Sequence, residues 1–86
     1  MTRTFYRIHT EYRPNLEALV ALFYPCFAIV RGRGCWQNIA EDSACIEIIA
    51  YGSDKPAVLT LARTIKLENA QEAVYVTATP VELVVV

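Results

Sequence analysis

The sequence has no long apolar run, no run of like charge and only three glycines. Its longest uncharged stretch, from Ala18 to Val30, contains Pro25 and is shorter than the roughly 20 apolar residues that span a membrane. Its 8 basic and 9 acidic residues are interspersed and give a net charge of −1. Nucleic-acid binding by charge requires a cationic surface, so we expect neither a membrane nor a nucleic-acid partner.

Paired cysteine motifs are also missing. Cys26, Cys35 and Cys45 are an odd number and include no C-x-x-C. Alternation begins directly after Met1, without the apolar segment of a signal peptide. We therefore expect a cytoplasmic protein with reduced thiols. The cysteines and His9 lack the paired spacing of a zinc site, and the adjacent Glu41 and Asp42 lack a spaced third ligand, so we predict no metal site and no cofactor.

An apolar fraction of 55% in 86 residues is enough for one modest core. We therefore predict a single domain over residues 1–86. The apolar fraction exceeds the usual 45–50% of globular domains, so part of it is expected to form a partner surface. A homodimer or a higher homo-oligomer is the predicted assembly.

Period-two alternation and helical spacing divide the chain into six elements. The predicted strands are 3–12, 27–33, 44–51 and 73–79, and residues 37–43 are a polar connection. The first predicted helix is 16–24, and the second is capped by Ser53 or Asp54 and stops at Asn69. This β-α-β-β-α-β order predicts a ferredoxin-like split βαβ fold. Right-handed crossovers place both helices on one face of a four-stranded antiparallel sheet of order 4-1-3-2.

The residues after Pro80, which is expected to interrupt the fourth strand, form a short apolar C-terminal β-arm, Val81 to Val86. An exposed β-branched segment is an aggregation hazard. Two interpretations stay open: the arm pairs with a sheet edge of its own or a neighbouring chain, or it extends the fourth strand.

The sheet face without helices is predicted to carry mixed side chains. They are Phe5, Arg7, His9, Glu11, Cys45, Glu47, Ile49, Tyr51, Tyr75 and Thr77. Such a mixture favours a face that is partly covered by another copy or by a ligand.

On this face, His9 lies on a central strand and shares its orientation with Cys45 and Glu47 on the neighbouring strand. A Cys–His or His–carboxylate pair can act in nucleophilic or general-base catalysis. The alternative, which we favour, is a surface histidine beside a small apolar cysteine. Arg7 is predicted either to pair with Glu47 or to bind an anion.

The segment Arg31-Gly32-Arg33-Gly34 is the best anion site in the sequence, because guanidinium groups and flexible backbone N–H groups can converge on a phosphate. It lacks the spacing and the Gly-Lys-Ser/Thr of a P-loop. Trp36 follows closely and either stacks on a ligand ring or caps the core. The predicted ligand-binding residues are therefore Arg31, Arg33, Trp36 and Arg7.

Several segments resemble small uncharacterised α/β-plait proteins of phages and bacterial mobile elements. They are Phe27-Ala28-Ile29-Val30, Gly34-Cys35-Trp36, Glu41-Asp42-Ser43, Ile46-Glu47-Ile48-Ile49 and Asn69-Ala70-Gln71-Glu72-Ala73-Val74-Tyr75-Val76-Thr77. The resemblance spans residues 5–80, with the Gly-x-Trp, Glu41, Ser43 and Gln71 as signature positions. It implies the fold and a phage context, and it transfers no chemistry.

We hypothesise a self-associating, non-enzymatic binding module whose ligand is a host protein or an anionic small molecule. The alternative is a small enzyme in which two such sheets enclose a dimeric α/β-barrel pocket and His9 is the base. Cys45 or Glu47 would then lie next to His9.

Overall fold

A computed structural model describes all 86 residues and contains the six predicted elements. The elements are β1 Thr2–Glu11, α1 Leu16–Ala21, β2 Ala28–Trp36, β3 Ile39–Ala50, α2 Lys55–Glu68 and β4 Tyr75–Glu82, with a 3₁₀ turn at Gly52–Asp54. All neighbouring strands are antiparallel, and their order is β2-β3-β1-β4. The predicted ferredoxin-like fold and strand order are therefore confirmed.

The core lies between the sheet and the two helices. Alternate residues of β1 and β3 are buried on one face, as period-two alternation predicts. The apolar faces of α1 and α2 supply the other half of the core. The buried apolar residues of the whole core are Tyr6, Ile8, Leu16, Val20, Ala44, Ile46, Ile48, Ala50, Val58, Leu61, Ala62 and Ile65. The opposite sheet face remains uncovered by helices.

The prediction of a polar connection over residues 37–43 is wrong. β2 continues to Trp36 and β3 begins at Ile39, so only Gln37 and Asn38 form the turn. Both have positive φ angles, 49° and 66°, which a two-residue type I′ hairpin turn requires. The segment is polar because this part of the hairpin projects beyond the core, where burial does not select apolar residues.

Pro80 does not interrupt the last strand. The N–H of Leu83 donates to the Met1 carbonyl at 2.8 Å, and alternate residues of β4 hydrogen-bond to β1 in this register. Pro80 lies opposite Thr4, between two such positions, so its nitrogen faces the free edge of the sheet. Of the two interpretations of the C-terminal arm, extension of the fourth strand holds as far as Leu83, while Val84 to Val86 stay exposed.

Candidate functional site

The outer half of the β2–β3 hairpin curls over the uncovered face of the sheet. The β1–β3 ladder ends where Glu11 pairs with Ser43, so residues 33–42, here called the hairpin tip, extend beyond it. β2 and β4 are opposite edges of the sheet, yet the Trp36 and Tyr75 ring centroids are 5.7 Å apart and inclined by 51°. The tip therefore crosses the end of the sheet to reach the first residue of β4.

Small residues on the inner side of the hairpin accommodate this curvature. A methyl group added at Gly34 would lie 3.3 Å from the Ser43 Cβ, which is tighter than ordinary van der Waals contact. At Gly32 the nearest atom, the Ser43 Oγ, would be 3.6 Å away. Gly34 is thus the position where an added methyl group would require Ser43 to shift.

The curled hairpin and the sheet enclose a cleft of about 450 Å³, which is open on one side. Trp36 and Tyr75 form an aromatic wall, and His9 and Cys45 lie on its floor. Its other lining residues include three glutamates, Glu11, Glu41 and Glu72. Small-molecule sites are typically concave regions of roughly this volume, with a few polar groups that fix orientation.

Two hydrogen-bonded contacts fix the aromatic wall. The Trp36 indole N–H donates to Glu72 Oε2 at 3.3 Å. The neighbouring Gln71 is only 9% exposed, and its Oε1 accepts the backbone N–H of Glu11 at 3.1 Å. The Thr10 hydroxyl lies 2.8 Å from the same oxygen. The loop between α2 and β4 is thereby attached to the end of β1.

Glu11 and Glu41 both line the cleft at the base of the hairpin tip. The Arg13 guanidinium forms a hydrogen-bonded ion pair with Glu11. Burial, followed by the neighbouring Glu11 carboxyl, raises the pKa of Glu41, and Arg13 partly opposes this shift. Glu41 therefore retains its proton more readily than a fully solvated glutamate does.

Of the three predicted catalytic candidates, His9 and Cys45 lie side by side, whereas Glu47 is engaged elsewhere. His9 and Cys45 are direct cross-strand partners, and His9 Nε2 lies 3.1 Å from the Thr77 hydroxyl. Burial, followed by the charge of Glu47, raises the pKa of the Cys45 thiol, which disfavours the nucleophilic thiolate. Glu47 itself lies 3.7 Å from Arg7, in the cross-strand ion pair that the sequence offered as one alternative.

The structure brings the four predicted ligand-binding residues together only in part: Arg31 and Trp36 both line the cleft, whereas Arg33 and Arg7 do not. Strand alternation directs the side chains of Arg31 and Arg33 to the opposite face of the hairpin from that of Trp36. The Arg31 guanidinium lies 3.6 Å from the centre of the Tyr12 ring, and Arg33 Nη1 lies 3.0 Å from Asp42 Oδ1. Arg7 is on β1, over the Phe5 ring. A ligand-binding role for each remains a prediction.

Sequence reasoning placed Tyr75 and Glu11 on the uncovered face but did not join them to Trp36. It also did not identify Glu41 and Glu72 as neighbours of the same cleft. The signal that was missed is the pair Gln37-Asn38, which favours a two-residue hairpin turn. Such a turn extends both strands and places Trp36 beyond the core.

No group of three or more His, Cys, Asp or Glu side chains is placed to hold a metal ion. Neither helix has the length and apolar composition that crossing a membrane requires.

No protein-family model and no curated protein matches the sequence. Solved structures do match the fold. A phage SAM lyase in complex with S-methyl-5′-thioadenosine is 19% identical, with a TM-score of 0.73 over 90% of this chain and 80% of that chain. A DUF3240 family protein from Shewanella baltica OS155 is 13% identical, with a TM-score of 0.71 over 100% of this chain and 97% of that one.

A third similar structure is CPII from Thiomonas intermedia K12, a nitrogen regulatory PII-like protein bound to ADP, AMP and bicarbonate. It is 13% identical, with a TM-score of 0.67 over 99% of this chain and 98% of that chain. At these identities the likeness establishes the ferredoxin-like fold. The similar structures include a phage protein, in line with the resemblance drawn from the sequence.

Proposed function

We propose that this protein is a small-ligand binding module and that its ligand occupies the cleft under the β2–β3 hairpin. The observation that carries the proposal is the aromatic wall, because Trp36 and Tyr75 come from opposite edges of the sheet and meet over a cavity of about 450 Å³. A tryptophan that only capped the core would not have to pack against a side chain from the opposite edge of the sheet. Aromatic side chains arranged in this way favour a ligand with a planar ring.

A purine nucleoside is the ligand class we favour. Two of the similar structures hold S-methyl-5′-thioadenosine or ADP and AMP, all of which contain an adenine ring. Adenine can stack on Trp36 or Tyr75, and the carboxylates and the Gln71 segment supply hydrogen-bond acceptors for its amino group. The proposal for this chain rests on its own cleft, and the ligands of the similar structures only suggest which compounds to test.

The charge of the cleft favours a neutral or cationic nucleoside over a phosphorylated one. Its lining includes three glutamates, Glu11, Glu41 and Glu72, against one arginine, Arg31, whose guanidinium lies on the Tyr12 ring. Arg33 is paired with Asp42. Carboxylates repel a phosphate at short range. The anionic ligand expected from the sequence is therefore the competing alternative, and it would use Arg31 and Arg33 on the outer face.

Isothermal titration calorimetry with adenosine, S-methyl-5′-thioadenosine, S-adenosylmethionine, AMP and ADP tests both ideas. We expect the first three ligands to bind more tightly than the two phosphates. Trp36→Ala should weaken binding by about tenfold or more, since stacking of a base on an aromatic side chain is worth roughly 1–3 kcal/mol.

Ile39→Ala is the matched control, because Ile39 pairs with Trp36 across the turn but is exposed and does not line the cleft. Binding that is unaffected by Trp36→Ala would refute the assignment of the cleft. If only ADP and AMP bind, and Arg31→Ala plus Arg33→Ala abolishes their binding, the anion site on the outer face is the correct one.

Self-association is the second part of the proposal. Beyond the hairpin tip, the uncovered face exposes Ile49 and Tyr51, about half of each side chain, and Val30 at the β2 edge. Burial of such a patch against another copy is favourable. Native mass spectrometry is expected to show an oligomer that Ile49→Glu dissociates and that Leu67→Glu, a comparable change on the exposed side of α2, leaves intact.

A small enzyme remains the alternative, because the only histidine lies on the floor of the cleft with Thr77 and Cys45 beside it. His9 would then be the general base. If a bound nucleoside is converted to products during prolonged incubation, His9→Gln should abolish conversion while preserving binding. Full conversion by His9→Gln would exclude this role.

A further inference from the structure

We propose that residues 84–86, here called the tail, pair as a short strand with the free edge of β2 in a neighbouring copy of this chain. The accepting segment is residues 28–30. The inference rests on the self-association proposed above and assigns to it a contact along a strand edge, separate from the uncovered face of the sheet.

The tail continues the line of β4 beyond the rest of the sheet. The N–H of Leu83 donates to the Met1 carbonyl at 2.8 Å, and residues 84–86 make no backbone hydrogen bond. Val84 and Val85 are 69% and 75% exposed, and Val86 is fully exposed. Consecutive β-branched residues favour the extended conformation, and an unpaired apolar strand tends to add to another strand.

The two free edges of the sheet differ in their capacity to accept a strand. On β4, Pro80 faces the edge and removes one hydrogen-bond donor from it. β2 has no proline among its nine residues and pairs only with β3. β2 is therefore the edge that is open to a further strand.

The first part of β2 matches the tail in chemistry. Ala28, Ile29 and Val30 are apolar, and Val30 is 52% exposed. The following residues, 31–34, alternate arginine with glycine and offer no apolar side chain. Apolar β-branched side chains on neighbouring strands stabilise strand pairing, so residues 28–30 are the accepting segment.

The register of the sheet keeps the tail from this segment in its own chain. Leu83 lies beside Met1, whereas Ala28 is opposite Glu47, which is in turn opposite Arg7. Met1 and Arg7 are about 20 Å apart along an extended strand, and the two strands between β2 and β4 add about 14 Å across the sheet. Residues 84–86 span only about 10 Å and continue away from Arg7. A neighbouring copy is therefore the source of the paired tail.

The size of the contact indicates how the copies are arranged. Three valines bury much less than the roughly 800 Å² per partner of a standard interface. Each chain, however, has both a tail and an open edge, on opposite sides of the sheet. The contact is heterologous, so repeating it around a closed ring gives every copy two such contacts and covers every tail.

Removal of residues 84–86 tests the contact. We expect native mass spectrometry to show an oligomer of one mass for the full chain and a monomer for the shortened chain. Circular dichroism should be unchanged, because the hydrogen bonds of β4 end at Leu83. Leu22→Ser is the matched control, since Leu22 is a 78% exposed apolar residue at the end of α1, and it should leave the oligomer intact.

Amide hydrogen exchange followed by NMR identifies the edge that is involved. Every second N–H of an edge strand points away from the sheet and has no partner within the chain. The outward N–H groups of residues 28–30 should exchange at least about tenfold more slowly in the full chain than in the shortened chain. The Ala78 N–H, which faces the free edge of β4 like the Pro80 nitrogen, should exchange equally fast in both. A monomeric full chain, an oligomer that keeps its mass without residues 84–86, or protection at Ala78 instead of residues 28–30 overturns the inference.

The strand-edge contact and the proposed function can fail separately. If Ile49→Glu dissociates the oligomer and removal of the tail does not, the uncovered face is the contact and the strand edge is refuted. If removal of the tail dissociates it and Ile49→Glu does not, the strand edge is supported and association through the uncovered face is refuted. A full chain that binds no nucleoside but loses its oligomer with the tail supports the strand edge and refutes the proposed ligand.

Discussion

The buried hydrogen bonds of Gln71 should contribute more to stability than any other polar group of the cleft. Its amide holds the loop before β4 against Thr10 and the backbone N–H of Glu11, and both Gln71 and Thr10 are more than nine-tenths buried. Gln71→Leu keeps the approximate side-chain volume but leaves the Glu11 N–H without its acceptor. A buried group left unpaired costs about 1–3 kcal/mol, so we expect a loss of about 2 kcal/mol.

Urea unfolding measures this loss. With a slope of about 1–2 kcal/mol per molar urea for so small a domain, the unfolding midpoint should fall by about 1–2 M. Thr10→Val should cost less, about 1 kcal/mol, because it removes one hydroxyl from the same network. The double variant should lose less than the sum of the two single changes, by about 1 kcal/mol, since both changes remove the same hydrogen bond.

Additive losses in this double-mutant cycle would refute the idea that Gln71 and Thr10 act on stability through each other. A Gln71→Leu protein as stable as the unmodified chain would show that the loop is not attached to β1 through this amide. Trp36 fluorescence supplies an independent readout, because a released loop moves Glu72 and Tyr75 away from the indole ring.

Three further predictions concern the hairpin, the core and a thiol. Gly34→Ala should destabilise the packing of the hairpin tip and increase acrylamide quenching of Trp36 fluorescence, and Ser43→Gly should rescue this variant. Gly32→Ala, whose added methyl group meets only ordinary contacts, should be neutral or stabilising by up to about 1 kcal/mol. Tyr6→Phe should cost about 1–2 kcal/mol in thermal or urea unfolding, because the single hydroxyl hydrogen of buried Tyr6 is shared between the Tyr51 and Gly52 carbonyls. An unchanged stability would contradict that assignment. Burial and Glu47 raise the pKa of the Cys45 thiol, so its maleimide labelling at neutral pH should be slower than that of the exposed Cys26. Equal labelling rates would contradict this.

The sequence predicted the fold because the relevant signals are local. Alternation in β1 and β3 and helical spacing in α2 each identify an element and its buried face without knowledge of the others. The rules of handedness then leave one arrangement of the sheet. Its uncovered face, with Phe5, His9 and Cys45 partly exposed, also followed from the alternation.

The cleft could not be predicted in the same way, because it depends on where the hairpin goes after it leaves the core. No residue of the hairpin tip is fully buried, so its sequence carries no core pattern, and the contact of Trp36 with Tyr75 links two edges of the sheet. An extended β2 would have separated Arg31 and Arg33 from Trp36 by strand parity alone. The anion-site prediction grouped Arg31, Arg33 and Trp36 by nearness in sequence and stays a prediction, although neighbouring side chains of a strand point to opposite faces.

The order of the elements along the chain also determines the stage of synthesis at which the cleft can form. Trp36 lies before α2 and Tyr75 after it, so the aromatic wall joins two segments that are made at different times during synthesis. The β2–β3 hairpin and α1 can form as soon as they leave the ribosome, but the wall has to wait for the last strand. A nascent chain that ends within α2 has Trp36 without Tyr75, and completion of β4 adds the fourth strand of the sheet and forms the cleft.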